Sequence, residues 1–214
     1  MPIISSSDIV GDDESDLLAH IRESASALFF HPPGTVRCRG VPLFRNQAAR
    51  DLGCLLDLDP DVVSWTCLPT ILAYGTGMHV PDFAVERSDG TILLDAVSPD
   101  AKSPPPDWVS DVARDLGYRY EAVSECDLHE GFRLDNARDL LRYANHRISL
   151  GDRVRLLTLL EEQGPMPLSV CMQVIRDGRD PIGVIATMAL RRFVEIDLDD
   201  ARIGPETRVY RSHV

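Results

Sequence analysis

Apolar residues recur at helical spacing over residues 16–30, where Leu17, Leu18, Ile21, Ala25 and Leu28 share one side. His31-Pro32-Pro33-Gly34 ends that helix. Residues 35–41 read as a short strand. A second helix is predicted over 46–57, with Ala48, Leu52, Leu55 and Leu56 on its apolar side and Asn46 placed to cap it. Apolar and β-branched runs then predict strands over 62–67, 70–74, 78–86 and 91–97. Leu68-Pro69, Gly75-Thr76-Gly77 and Ser88-Asp89-Gly90 punctuate them. The last run is apolar throughout, as a central buried strand is. A Pro-rich loop over 98–106 leads to an amphipathic helix over 107–116, capped by Gly117, and to a strand over 118–123. The period then changes. Helices are predicted over 134–148, 151–163, 168–176 and 182–193, followed by the strand-like Phe193-Val194-Glu195-Ile196-Asp197-Leu198.

This pattern predicts an α/β domain over residues 15–130 and a helical, winged-helix-like domain over 131–214, with the boundary near 128–135. Residues 1–14, with Ser5-Ser6-Ser7 and Gly11-Asp12-Asp13-Glu14, read as a disordered tail. A chain of 214 residues with 44% hydrophobic content has the material for one large core or two small ones. No apolar run approaches the roughly eighteen residues of a membrane helix, so no membrane partner is expected. Residues 1–16 lack the basic start of a signal peptide. The five cysteines (Cys38, Cys54, Cys67, Cys126, Cys171) are odd in number, and none is paired at CxxC spacing. They read as reduced, mostly buried thiols of a cytoplasmic protein.

The net charge of −12 argues against general stickiness toward nucleic acid. Its distribution is uneven: residues 1–130 hold 9 basic against 22 acidic residues, and residues 131–214 hold 13 arginines against 12 acids. Arg191-Arg192 end the third helix of the winged-helix pattern, where groove-facing residues usually lie. Arg176, Arg179, Arg208 and Arg211 are candidate flanking phosphate contacts. Arginine at a helix C-terminus also offsets the macrodipole, the alternative reading of the same residues.

The chemistry is concentrated elsewhere. His79-Val80-Pro81-Asp82-Phe83 and Leu93-Leu94-Asp95-Ala96-Val97 place one carboxylate on each of two neighbouring strands. Two such carboxylates can share one Mg²⁺, weakly, because Mg²⁺ keeps several of its waters. Asp95 lies in an apolar run, where a carboxylate must be paired, hydrogen-bonded or metal-bound. His79 reads as a packing residue, and Trp65 and Trp108 as core.

These segments, with Arg50-Asp51 leading to Leu58-Asp59-Pro60-Asp61-Val62, with Leu68-Pro69 and with Gly204-Pro205-Glu206-Thr207, resemble the TnsA-like transposon endonucleases. The resemblance covers most of the chain. It implies a restriction-endonuclease-like mixed sheet flanked by helices, then a small winged-helix-like domain. It puts the metal-binding aspartate at Asp82 and the acid of the acid-x-Lys strand at Asp95. The lysine then falls at Val97, and the helix glutamate at Ala49 or, in a shifted alignment, at Arg45. Lys102, the one lysine of the chain, and Asp57 are the candidate substitutes. Losing the cation of such a site removes a factor on the order of a hundred or more in rate. The resemblance therefore implies a transposition- or mobile-element-related accessory protein with an inactive nuclease-like domain, binding DNA or a transposase-like partner. Two other readings stay open: a working Mg²⁺-dependent endonuclease with relocated groups, and a protein–protein scaffold that does not touch DNA.

Overall fold

The computed structural model describes residues 6–99 and 104–212, with side chains from residue 15 onward. The described residues form a mixed α/β fold of eight helices and nine strands, divided into two compact units. The first unit comprises Met1–Phe30 and Arg37–Leu128, the second His31–Val36 and His129–Val214. Among the described residues, no helix is long and apolar enough to cross a membrane.

In the first unit the elements run α1 (Ser6–Ser26), α2 (Gln47–Leu58), β1 (Val62–Cys67), β2 (Leu72–Tyr74), β3 (Gly77–His79), β4 (Phe83–Arg87), β5 (Gly90–Val97), α3 (Trp108–Asp115), β6 (Arg119–Ser124) and α4 (Glu125–Leu128). Helix α1 starts at Ser6, inside the segment whose composition predicts a disordered tail. Asn46 caps α2 as expected: its side-chain oxygen accepts from the Ala49 amide at 2.7 Å.

Four strands pair in the order β1-β4-β5-β6. β4 and β5 form an antiparallel hairpin, with Phe83 opposite Leu94 and Arg87 opposite Gly90. β6 runs parallel to β5, as a connection through α3 allows. β5 is buried from Ile92 to Ala96, the burial its continuous apolar run predicts. The single strand expected over 78–86 is broken in two. Pro81 lacks the amide a ladder needs; β3 pairs with β2 in a separate hairpin, and β4 joins the main sheet. Residues 35–41 contribute only one parallel bridge, Cys38 to Trp65, rather than a strand. Phe44, Trp65 and Phe83 cluster with ring centroids 5.4–6.3 Å apart. Trp65 is core, whereas Trp108 is half-buried and stacks on Tyr74 at 6.0 Å.

In the second unit the order is α5 (Arg133–Leu141), α6 (Leu150–Gln163), β7 (Met166–Pro167), α7 (Leu168–Gln173), α8 (Pro181–Leu190), β8 (Val194–Ile196) and β9 (Arg208–Arg211). The three strands form an antiparallel sheet with β9 in the middle. Its core joins Leu156 and Leu160 of α6, Leu168 and Cys171 of α7, Val184, Ile185 and Met188 of α8, and Val194 and Val209. The helix expected over 134–148 stops at Leu141. Asn136, buried in α5, donates to the carbonyls of Leu198 and Ala201 at 2.8 Å and accepts from the Ile203 amide at 2.9 Å. One side chain thereby fixes the loop between β8 and β9.

Candidate functional site

Asp82 stands immediately before β4 and Asp95 near the end of β5, so the hairpin register brings both to one place. They are 3% and 2% exposed, and their chemistry is therefore decided by protein groups rather than by water. Asp95 Oδ1 accepts the Asp82 amide at 2.9 Å, and Asp82 Oδ2 accepts the Ala96 amide at 2.9 Å. Each aspartate is thus held by the backbone next to the other.

The group between them is Arg45. Its Nε donates to Asp82 Oδ1 at 2.8 Å, and its Nη2 lies 2.7 Å from Asp82 Oδ1 and 3.2 Å from Asp95 Oδ1. Arg45 immediately precedes the Asn46 cap, so the start of α2 aims it at the pair. On the far side, Tyr120 of β6 donates its hydroxyl to Asp95 Oδ2 at 2.6 Å, and His79 Nε2 lies 2.6 Å from the same oxygen. All four carboxylate oxygens therefore have a donor.

A backbone irregularity supports this geometry. Leu68 has φ 48°, in the left-handed region that a branched apolar side chain rarely adopts. Its amide donates to the Asp82 carbonyl at 2.9 Å, while its own carbonyl accepts from Arg22 of α1 at 2.8 Å. The hydrogen bonds on either side of Leu68 hold it in this conformation and tie it to the main chain of Asp82.

The two carboxyls are pushed apart in acidity. Burial raises Asp82 above the ordinary carboxylate range; Arg45 opposes this, and the charge of Asp95 adds to it. Burial also works against Asp95, but the hydrogen bonds from His79 and Tyr120 prevail and hold it below that range. Burial and the bond to Asp95 push the Tyr120 hydroxyl up, so it remains a donor. A hollow of about 530 Å³ opens over the pair, lined by Arg45, His79, Asp82, Asp95, Val97 and Pro105 among others.

The structure joins Asp82 and Asp95, as their strand positions predict, and Val97 lies at the same hollow. Ala49 does not reach it: the residue is packed within α2 at 1% exposure. The shifted alignment, with Arg45 at the glutamate position, is the one whose residue touches both acids. Asp57 does not substitute either. Its Oδ1 accepts the Arg37 amide at 2.9 Å and the Trp65 indole N–H at 3.0 Å. Lys102 lies outside the described residues. Val97 stands two residues after Asp95, where the resemblance implies a lost lysine, and the positive charge beside the acids is that of Arg45, from the loop before α2. His79, expected to be a packing residue, is a partner of Asp95, and the roles of Arg45 and Tyr120 are not legible in the sequence. The available signal was the burial expected of Asp95, which demands donors from somewhere.

The donor set does not fit a resident Mg²⁺. The Oδ1 atoms of both aspartates are already bridged by a guanidinium. Among the described residues, no group of three or more His, Cys, Asp or Glu is arranged to hold a metal. Arginine can balance charge there, but it carries no water to activate and is not a Lewis acid.

The six arginines proposed for DNA contact all lie in the second unit. Arg176 and Arg179 precede α8, and Arg191 and Arg192 follow it, with a ten-residue helix between them; that is roughly 15 Å of rise. Helix α8 itself is buried from Gly183 to Met188, and of its residues Ile182 is the most exposed, at 44%. It offers no basic side chain to a groove. Arg211 is ion-paired with Glu161. Arg208 shares a hollow with Arg202 and with Asp197, Asp200 and Glu206.

No protein-family model and no curated protein matches this chain.

Proposed function

We propose that this protein is a non-cleaving accessory factor of DNA transactions, of the transposition or mobile-element kind. Its first unit is a restriction-endonuclease-like domain in which an arginine has taken the place of the ion. One observation carries this reading: the Arg45 guanidinium bridges Asp82 and Asp95 at 2.7–3.2 Å, while backbone amides, His79 and Tyr120 supply the remaining oxygens. A paired acid site of this kind, on a mixed sheet with a β-hairpin between the acids, is costly to build for stability alone. Two adjacent buried acids around a fixed cation fit a former metal site. The second unit supports a winged-helix reading through its element order from α6 onward, helix–strand–helix–helix–hairpin, and its strand order β7-β9-β8.

The burial of α8 favours a second reading of that unit, as a protein-docking module. A winged helix whose third helix is covered cannot read a groove with it. The two readings separate in one set of assays. Supercoiled plasmid is incubated with the protein and Mg²⁺ or Mn²⁺, alongside Asp82→Ala. Nicking that requires Asp82 would sink the non-cleaving reading. A gel shift that weakens with salt, and weakens further in Arg176→Ala and Arg191→Ala, supports DNA contact. Absence of any shift moves the second unit to the protein-docking reading.

A further inference from the structure

We propose that the second unit holds a binding site for a small amphipathic monoanion, an aliphatic or aromatic body carrying one carboxylate. The site is a hollow of about 580 Å³, inside the range of roughly 300–1,000 Å³ that small-molecule pockets span. Leu140 and Tyr143 line it from the end of α5 and the turn after it, Leu168 and Met172 from α7, Ile182 from α8 and Ile203 from the loop between β8 and β9. All belong to the second unit, so the site stands whether or not that unit touches DNA.

The walls of this hollow are pinned from outside it. The Leu168 amide donates to the Thr207 carbonyl at 2.8 Å and the Ser169 amide to the Pro205 carbonyl at 2.9 Å, which ties the β8–β9 loop to the first turn of α7. From α5, Asn136 accepts the Ile203 amide of the same loop at 2.9 Å. Tyr143 packs on α8 at Gly183, where a β-carbon would lie 2.9 Å from its ring. Thr187 of α8 donates its hydroxyl to the Tyr143 carbonyl at 3.2 Å. Walls held in this way have little freedom to close on one another. A preformed hollow also asks little reorganisation when a ligand enters.

The polar groups select the ligand. Arg142 and Asp139 line the hollow yet are exposed, which sets them at its rim. Their closest approach is 3.9 Å, beyond hydrogen-bond distance, and the Arg142 guanidinium has no hydrogen bond to any described residue. Arg142 caps α5, where its charge offsets the helix dipole, but that role engages none of its side-chain N–H groups. Tyr143 and Ser169 add two hydroxyls without a hydrogen-bond partner among the described residues. An apolar interior with free donors at its edge fits an apolar body and a carboxylate head. Asp139 at the same rim limits that head to a single negative charge.

The test uses the full chain with isotope-labelled methionine methyl groups, observed by NMR. Met172 lies in the hollow, and Met78, exposed in the first unit, is the control for unspecific binding. Decanoate, decanol and decylammonium, which share one chain length, are titrated below the concentrations at which they form micelles. The expected result is a saturable shift at Met172, with decanoate bound about tenfold more tightly than decanol, the worth of one charge-assisted hydrogen bond. Arg142→Ala is expected to bring decanoate down to the level of decanol. Its binding of decanol should stay as in the parent, which shows that the hollow is intact. Ile182→Trp, placed at the exposed edge, is expected to weaken decanoate and decanol alike. Absence of a saturable shift at Met172, an equal response of Met78 to decanoate, or no effect of Ile182→Trp overturns the site. Decylammonium bound as tightly as decanoate, or decanoate affinity unchanged in Arg142→Ala, overturns the ligand class.

Discussion

Each unit holds a buried aspartate against an arginine, yet the two arrangements differ in kind. In the second unit Asp152 is fully buried and accepts the amides of Arg176, Asp177 and Gly178 at 2.8, 3.2 and 2.9 Å, with Arg155 donating at 2.6 Å. Ser149 caps α6 at the same point. Burial opposes the charge, but the backbone amides and Arg155 hold this carboxyl well below its ordinary range. One acid surrounded by donors is a staple: it ties the loop after α7 to the start of α6. In the first unit two acids share one arginine, and burial drives one of them upward. Folding alone does not call for two adjacent buried carboxylates, because each destabilises the charge of the other. A buried Asp–Arg contact is therefore a poor sign of function by itself. Like charges crowded onto one cation, beneath an open hollow, are a better one.

Removing Arg45 separates the two cases most strongly. Arg45→Ala leaves two buried carboxylates without their cation and is expected to cost about 3 kcal/mol of stability at neutral pH. The sign with pH follows from Asp82, whose folded carboxyl is already raised. A group that binds its proton more tightly when folded favours the fold as pH falls. The variant should thus recover part of its loss in acid, as seen by urea unfolding at two pH values. Added Mn²⁺ should also stabilise Arg45→Ala more than the parent, since the acids then have room for an ion. A loss under about 1 kcal/mol, unaffected by pH, would reduce the acid pair to an ordinary surface-type ion pair.

Asp152→Asn is next. It keeps the shape but removes a charge that several donors address, at an expected cost of about 2 kcal/mol. Here the sign is opposite. The folded carboxyl is depressed, so its contribution is present above an ordinary carboxylate pKa of about 4 and fades as pH falls below it. Thermal unfolding of the parent should weaken through that window, and Asp152→Asn should show a flatter profile there. Equal acid sensitivity in the two proteins would assign it to other groups.

The sequence makes one half of this contrast visible. The pairing of Asp82 with Asp95 follows from apolar alternation on either side of the Ser88-Asp89-Gly90 turn, because hairpin register is a local property. The central burial of β5 is likewise written in Leu93-Leu94-Asp95-Ala96-Val97. Arg45 is named by one of the two alignments, but its role as the cation between the acids is not legible in the sequence. It lies 37 residues from Asp82 and 50 from Asp95 in the chain, and only the packing of α2 beside β5 brings it in. Tyr120 is hidden for the same reason, because the parallel pairing of β5 with β6 depends on how α3 crosses. The arginines of the second unit illustrate the converse. Arg176 and Arg191 lie on either side of α8, as the sequence predicts, but α8 itself is consumed by the core. Periodicity identified the helix; it did not show that nearly every face of it would be covered.

The asymmetry within the acid pair gives a smaller effect. Asp82→Asn neutralises the carboxyl that burial already pushes toward its protonated form, whereas Asp95→Asn neutralises the one its donors keep ionised. Asp95→Asn should be the less stable by about 1 kcal/mol at neutral pH. Equal costs from urea unfolding would mean that the two acids are equivalent and share their proton evenly.

The finest test lies at the single oxygen Asp95 Oδ2, which takes both Tyr120 and His79 at 2.6 Å. Tyr120→Phe removes one donor and leaves the other, so the oxygen is not orphaned; the expected cost is about 1 kcal/mol. His79→Phe alone should behave similarly. Removing both leaves a buried carboxylate oxygen with no donor from that side, and the penalty for an unmade bond exceeds the gain from a made one. The double variant should therefore cost more than the sum of the singles, a coupling that a double-mutant cycle measures directly. Additive costs would show that water or a rotated side chain replaces the lost donors. The hollow would then be wet enough to reach the acids, and the contrast with the closed Asp152 staple would become one of solvent access rather than of crowded charge.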